Sequence, residues 1–441
     1  MKTHNRWFIL CACFIVNIMI GSAYAWSVFA SALQASPFYL SAPQTTLAFN
    51  LSLGLVPLAM IVAGKLNTKI GIKATILIGG LFFGAGFALA NFMPIGAPGS
   101  PANPLVLYLT YGTMGGIGIG LVYGSVVANS ISWFPDKRGM AGGIAAGGFG
   151  LGAVLFAPIF EPVIANIGPQ QTFLIFGIIT GTIVVIGSFF IDRPPVGYMP
   201  EGWSPPAVGA TGSTNADLDI AQMLKTPRFY ILWTMYALAC ISGLMIISQA
   251  SPITQIALGY EVGSAATVGA TAVFFLGLAN TGGRFLWGAV SDKIGRYPTV
   301  ITMYAVTIGG LLILSFAASL ASVIIGLVAV GLCFGGFLGV YPSICAESFG
   351  TKHLGMNYGV LFISFGVAAF VGPQIAATIR VSTGAYTNAF IATILMSAVA
   401  IVITILYWIS IKKKKNLSDK LNEHLGVKYN SGVLKPDYKV K

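Results

Sequence analysis

Apolar runs of roughly twenty residues recur from one end of this chain to the other, separated by short polar loops. That is the length an α-helix needs to cross about 30 Å of hydrocarbon at about 1.5 Å per residue. A lone span in lipid must satisfy its own backbone hydrogen bonds, so the runs predict helices. Twelve are expected, at residues 7–33, 44–64, 74–94, 104–130, 139–165, 171–191, 229–251, 265–290, 298–318, 321–346, 355–379 and 386–411. The eighth contains an arginine, Arg284, in "GLANTGGRFLWGAVSDKIGR".

Composition agrees. Of 441 residues, 56% are hydrophobic and 8% charged, against about 25% charged in an ordinary soluble domain. The net charge of +12 would suit nucleic acid if the cations formed a patch, but they occupy alternate loops. Lys2 and Arg6 precede the first span, and Lys65, Lys69 and Lys73 join the second to the third. Lys137 and Arg138 follow the fourth, Lys293 and Arg296 the eighth, and Lys352 the tenth, while nine lysines follow the twelfth. Apart from Arg380 the intervening loops carry almost no basic residues. The positive-inside rule then predicts a multi-pass cell-membrane protein with both termini and the central loop cytoplasmic, and no nucleic-acid partner. The N-terminal run ending Ala23-Tyr24-Ala25 has the form of a secretory signal, but its removal would leave an odd number of spans. Five cysteines within spans make no disulfide framework, and Cys11-x-Cys13 has no His or acidic neighbours to build a metal site. Neither metal nor other cofactor is expected.

The chain also repeats itself. "GKLNTKIGIK" (64–73) and "GAVSDKIGRY" (288–297) share the frame G-x-x-x-x-K-I-G. "GGIGIGLVY" ending at Tyr123 matches "GGFLGVY" ending at Tyr341, and "FPDKRGM" (134–140) matches "FGTKHLGM" (349–356). Three matches in one order predict a parallel duplication of six spans. The expected division is an N-terminal half (1–191), a Pro/Gly/Ser-rich cytoplasmic linker (192–228) with a short amphipathic helix within Asp217–Leu224, a C-terminal half (229–411) and a basic tail (412–441), polar and mobile from Asn416. The "KKKK" at 412–415 suits an anionic-lipid anchor.

Six plus six spans with G-x-x-x-D-[RK]-x-G-R between the second and third of a half resembles the major facilitator superfamily, over about residues 7–411. In that family this loop is a cytoplasmic gate. The C-terminal copy fits fully, with Gly288, Asp292, Lys293, Gly295 and Arg296. The N-terminal copy has Thr68 and Ile72 in place of the acid and the arginine. Its gate contact should be weaker, or should rest on the C-terminal copy and on Asp136, Lys137 and Arg138. More narrowly, "WFPDKRGMAGG", "MLKTPRFYILW", "GRFLWGAVSDKIGRY" and "NYGVLF" resemble the oxalate/formate antiporter family of bacterial carboxylate carriers.

An arginine inside a span costs about 2.5–3.5 kcal/mol on insertion scales, so an unused one is seldom kept. Arg284 lies eight residues before Asp292, about 12 Å along the helix and too deep to snorkel easily. An anion in a central cavity would satisfy it, because a guanidinium grips a carboxylate bidentately. Asn280, one turn earlier, either contacts the substrate or bonds between helices. In eukaryotic monocarboxylate carriers, which resemble this family, an Asp stands there and helps carry the proton. Dicarboxylate carriers of the oxalate/formate family have a lysine eight residues after the Asn of N-Y-G, and here that position is Phe365. One deep cation neutralises one carboxylate, and a second negative charge would lie unpaired in low dielectric. The expected substrate is therefore a small monocarboxylate such as lactate, pyruvate or formate, with Tyr123, Tyr341, Tyr24, Phe149 and Phe365 as candidate walls.

The implied mechanism is alternating access of the two halves, in a protein expected to be a monomer and not an enzyme. The glycine-rich segments of spans five and eleven would serve as sliding interfaces. No phosphate-binding loop is present, so a gradient must drive transport. Glu161 and Glu347, near span ends, are either proton-coupling groups or structural, leaving proton symport and carboxylate exchange both open. The rival readings are an oxalate:formate antiporter, a drug exporter of the same fold, a channel, and an intramembrane enzyme. The last finds no histidine within a span.

Overall fold

The computed structural model describes residues 5–34, 37–96, 100–195, 197–200, 217–260 and 266–425. Helix α1 (Arg6–Gly21), a 3-10 stretch (Ser22–Ala25) and α2 (Trp26–Gln34) form the first span, and α3 (Ala42–Lys69) and α4 (Ile72–Leu89) the next two. The fourth combines α5 (Leu105–Leu107), a π-helical segment (Tyr108–Gly115) and α6 (Gly116–Trp133). Spans five and six run on as α7 (Arg138–Ser188), broken at Gly168, whose φ of 81° only glycine adopts readily. After α8 (Ile220–Leu224) come α9 (Pro227–Ala257), α10 (Ala266–Ile294), α11 (Arg296–Ser315), α12 (Leu320–Phe349), α13 (Leu354–Thr383) and α14 (Thr387–Leu425).

Eleven segments among the described residues are long and apolar enough to cross a membrane. The remaining expected span, α10, has 29 residues; its Asn280, Thr281 and Arg284 dilute its hydropathy without shortening it. The outer surface is apolar as well. On α14, Leu395, Val399, Val402 and Leu406 are each more than half exposed, an arrangement that lipid solvates and water does not.

Helices α1 to α7 pack on one another and α9 to α14 do likewise, while α3 against α13 and α7 against α10 and α12 join the two sets. Glycines let those seams close. A Cβ on Gly143 of α7 or on Gly339 of α12 would collide with the Arg284 carbonyl, so the α10 backbone is held between the two.

The basic tail begins as helix: α14 continues through the four lysines to Leu425, because lysine is a good helix former, and Lys412 lies 3.9 Å from the Trp408 ring centroid. Residues 426–441 lie outside the described residues. Within Asp217–Leu224 only Ile220–Leu224 is helical, capped by Asp219 and Gln222. Its Met223 is fully buried, while Ala221, Gln222 and Leu224 are exposed, the two-faced pattern of a short amphipathic helix.

Candidate functional site

Arg284 is 1% exposed. Its Nε donates to Asn280 Oδ1 at 3.1 Å and its Nη1 to the Ala146 carbonyl at 2.6 Å. Nη2 has no hydrogen-bond partner among the described residues. A guanidinium carries five N–H donors, and leaving any buried is costly. The asparagine one turn back and the α7 carbonyl hold the fork from behind, so its free edge is presented rather than floppy.

That edge meets a cavity of about 20 Å³ lined by Tyr24, Leu53, Val56, Tyr123, Phe149, Arg284, Leu338, Phe362 and Phe365. Both halves contribute. Tyr24 stands on the 3-10 break of the first span and meets Phe149 edge-on at 4.6 Å. Tyr123 packs on Phe149 at 5.5 Å and on Phe362 at 6.0 Å, and its hydroxyl has no partner among the described residues. Phe362 and Phe365 stack at 4.6 Å. One buried cation and an unpartnered hydroxyl set in an aromatic shell suit one small anion with an apolar remainder. The volume holds little more than a water molecule, so an occupant must be small or must part the halves.

Six of the seven candidate binding residues thus cluster, with Asn280 acting through Arg284. Tyr341 does not line the cavity. It stacks on Tyr236 at 4.0 Å with an interplanar angle of 8°, so the repeat preserved its sequence position without its neighbours. Leu53, Val56, Leu338 and Phe362 line the cavity unforeseen, since one apolar residue in an apolar run carries no signal of its facing. Phe362, three residues before Phe365 and so on the same helix face, was the one inferable from spacing.

On the face carrying both termini the halves meet through charge. Asp292 accepts from the backbone N–H groups of Gly139 and Met140 at 3.1 and 2.9 Å, a carboxylate on the N-terminus of a helix from the other half. Arg296 binds Asp292 at 2.7 Å and Glu347 at 2.6 Å, and donates to Ser291 Oγ at 2.6 Å. Arg138, partly buried, faces Glu347 and Arg296. Asp136 pairs instead with Arg6 of its own half, through two contacts of 2.7 and 3.2 Å. Lys137 and Lys293 are exposed and take no part in an ion pair among the described residues. Glu347 is engaged in this ionic cluster, and the side chain of Glu161 lies outside the described residues.

The model of the Major Facilitator Superfamily matches residues 7–373 and again 263–432. The chain is 32% identical over 369 residues to an uncharacterized MFS-type transporter of Escherichia coli (strain K12), YhjX, spanning 83% of this chain and 86% of that protein. It is 31% identical over 406 residues to the oxalate:formate antiporter of Oxalobacter formigenes, spanning 90% of each. Human monocarboxylate transporter 12 is 25% identical over 358 residues, 76% of this chain and 66% of that one. Among solved structures, the transporter FucP in the outward conformation superposes with a TM-score of 0.61 at 17% identity, over 90% of this chain and 99% of that one. At that identity the likeness speaks for the fold alone.

Proposed function

This chain belongs to the Major Facilitator Superfamily, and from that premise we propose that it is a secondary active transporter of a small monocarboxylate of the lactate, pyruvate or formate type. The observation that carries the reading is the free edge of Arg284, buried on a cavity between the halves. A carboxylate there would form charge-assisted bonds with Nη2 and the Tyr123 hydroxyl while its short apolar body meets Phe149, Phe362 and Phe365. No acidic residue lines the cavity, so the ligand's own charge is what balances the arginine.

Rocking of the halves about this site would expose it to each side in turn. Closure on the terminal face would rest on Asp292, Arg296, Glu347 and Arg138. With the basic loops inside, that face is cytoplasmic, and the linker and tail lie there with it.

The relatives favour carboxylates, one being an oxalate:formate antiporter and another a monocarboxylate transporter. Oxalate:formate exchange is the second reading, carried by the 31% identity to that antiporter. Against it stands the lining, which offers one cation to a dianion. The tight aromatic cavity also disfavours a bulky drug. A panel of labelled acids in proteoliposomes, with and without an imposed pH gradient, tests both substrate and coupling. Uptake of oxalate with none of lactate, pyruvate or formate would overturn the monocarboxylate assignment. Acceleration by an inward proton gradient marks symport, and acceleration by internal carboxylate marks exchange.

A further inference from the structure

A second, polar cavity lies on the terminal face, between α3 and α6 of one half and the N-terminus of α13 of the other. Its volume is about 180 Å³, roughly ten times what a single water needs. It shares no lining residue with the Arg284 cavity, and Val56 of that lining stands eight residues before Gly64 of this one on α3, about 12 Å along the helix.

Three basic groups stand on its wall and no acid does: Arg193, just after α7, and Lys352 and His353 before α13. Neither Arg193 nor Lys352 forms an ion pair among the described residues. Part of the Arg193 side chain is withdrawn from water with no acid to offset it. His353 Nδ1 is buried without a hydrogen-bond partner among the described residues. The neighbouring carboxylates are engaged: Asp192 pairs with Lys73 at 3.0 Å, and Asp217 accepts from the Thr351 and Lys352 amides. Neutral groups on the wall are engaged too, Ser132 donating to the Ala128 carbonyl and Asn129 to that of Asp192. What the wall leaves unused is positive. Cations gathered from two halves repel one another unless an anion lies between them.

The repeat supplies an internal comparison. Gly355 and Met356 of this wall match Gly139 and Met140, whose amides hold the Asp292 carboxylate at 3.1 and 2.9 Å. No side chain caps α13, and the match for Asp292 is Thr68, whose hydroxyl donates to the Lys65 carbonyl of its own helix. One repeat carries its own anion at the start of a helix. The other has a cavity and unpaired cations in that place.

We infer that this cavity binds a small, doubly charged oxyanion from solution, of the phosphate or dicarboxylate class. Arg193 and Lys352 supply two positive charges where the Arg284 cavity supplies one, so the two sites suit anions of different charge. The His353 imidazole and the first amides of α13 add directed donors. Because the basic groups come from both halves, the anion favours the arrangement in which they meet. It is then an effector of transport and not cargo, a step that rests on the transporter reading above, whereas the binding does not.

The test is calorimetric titration of the purified protein in phosphatidylcholine nanodiscs with inorganic phosphate and, separately, with oxalate, which tells the two classes apart. Wild type and Arg284→Ala should bind the same anion equally well. Arg193→Gln should weaken binding roughly tenfold and Lys352→Gln several-fold, while Lys69→Gln, which removes a cation off the wall, should leave it unchanged. All three positions are exposed, so these variants should melt with wild type before anion is added. Failure of both anions to bind wild type, loss of binding in Arg284→Ala, or equal weakening by Lys69→Gln overturns the proposal. In proteoliposomes the anion that binds should slow labelled monocarboxylate uptake several-fold in wild type and not in Arg193→Gln. No slowing of wild type, or equal slowing of both, overturns the effector role. Calorimetry needs no transport, so the binding result stands if no monocarboxylate is carried.

Discussion

Arg284 of α10 and Ala146 of α7 are joined by a 2.6 Å hydrogen bond from the guanidinium Nη1 to a main-chain carbonyl. The bond crosses from the C-terminal to the N-terminal set of helices, so the residue proposed to bind the substrate also ties the moving parts together. If Arg284 binds the substrate as proposed, occupancy and conformation would be coupled through one side chain. Arg284→Lys keeps the charge and loses the planar fork, and Arg284→Ala loses both. A charge-assisted contact contributes about 1.5–3 kcal/mol, roughly tenfold to a hundredfold. Uptake by Arg284→Ala should fall by at least about tenfold in kcat/KM, with Arg284→Lys recovering only part of the loss, read by initial rates of labelled acid at matched protein levels.

Asn280 Oδ1 accepts from Arg284 Nε at 3.1 Å and cannot ionise. Asn280→Asp would place a carboxylate against the guanidinium, competing with the substrate whenever it is charged. Transport by this variant should therefore be depressed relative to wild type, and Asn280→Gln, which keeps a neutral amide, should be depressed less. Initial rates of labelled acid on the three proteins at matched protein levels check this.

Phe365 stacks on Phe362 and borders the cavity. Phe365→Lys would bring a second cation to the wall at the position where the oxalate/formate resemblance implies a lysine. Affinity should shift from monocarboxylates toward oxalate, visible as oxalate inhibition of labelled monocarboxylate uptake that wild type lacks. If oxalate competes equally with both proteins, charge counting is not what excludes it.

The Tyr123 hydroxyl is buried and has no partner among the described residues. Tyr123→Phe should leave thermal stability unchanged or slightly raised, because no protein hydrogen bond is lost, while raising KM about fivefold for one hydrogen bond of roughly 1 kcal/mol. Tyr341→Phe, whose ring stacks on Tyr236 away from the cavity, should leave KM at the wild-type value. A melting curve and a saturation curve on each variant separate the two tyrosines.

The bilayer's demands fall on short stretches of chain, and those stretches announce them. Span length, loop charge, the cost of one deep arginine and the duplicated loop frame are all readable over a few turns of chain, because the bilayer penalises each locally. Which residues face each other depends on how distant helices pack. Tyr123 and Tyr341 hold matching places in the repeat, yet one borders the cavity and the other stacks on Tyr236. Asp136, placed in the gate by its loop, pairs with Arg6, while Glu347 joins Arg296. Leu53, Val56 and Leu338 enter the lining from runs in which one apolar residue is not distinguished from the next. A uniformly apolar helix has no polar face to announce its rotation. Its orientation comes from where glycines such as Gly143 and Gly339 admit a neighbouring backbone, a steric fit between segments far apart in the chain.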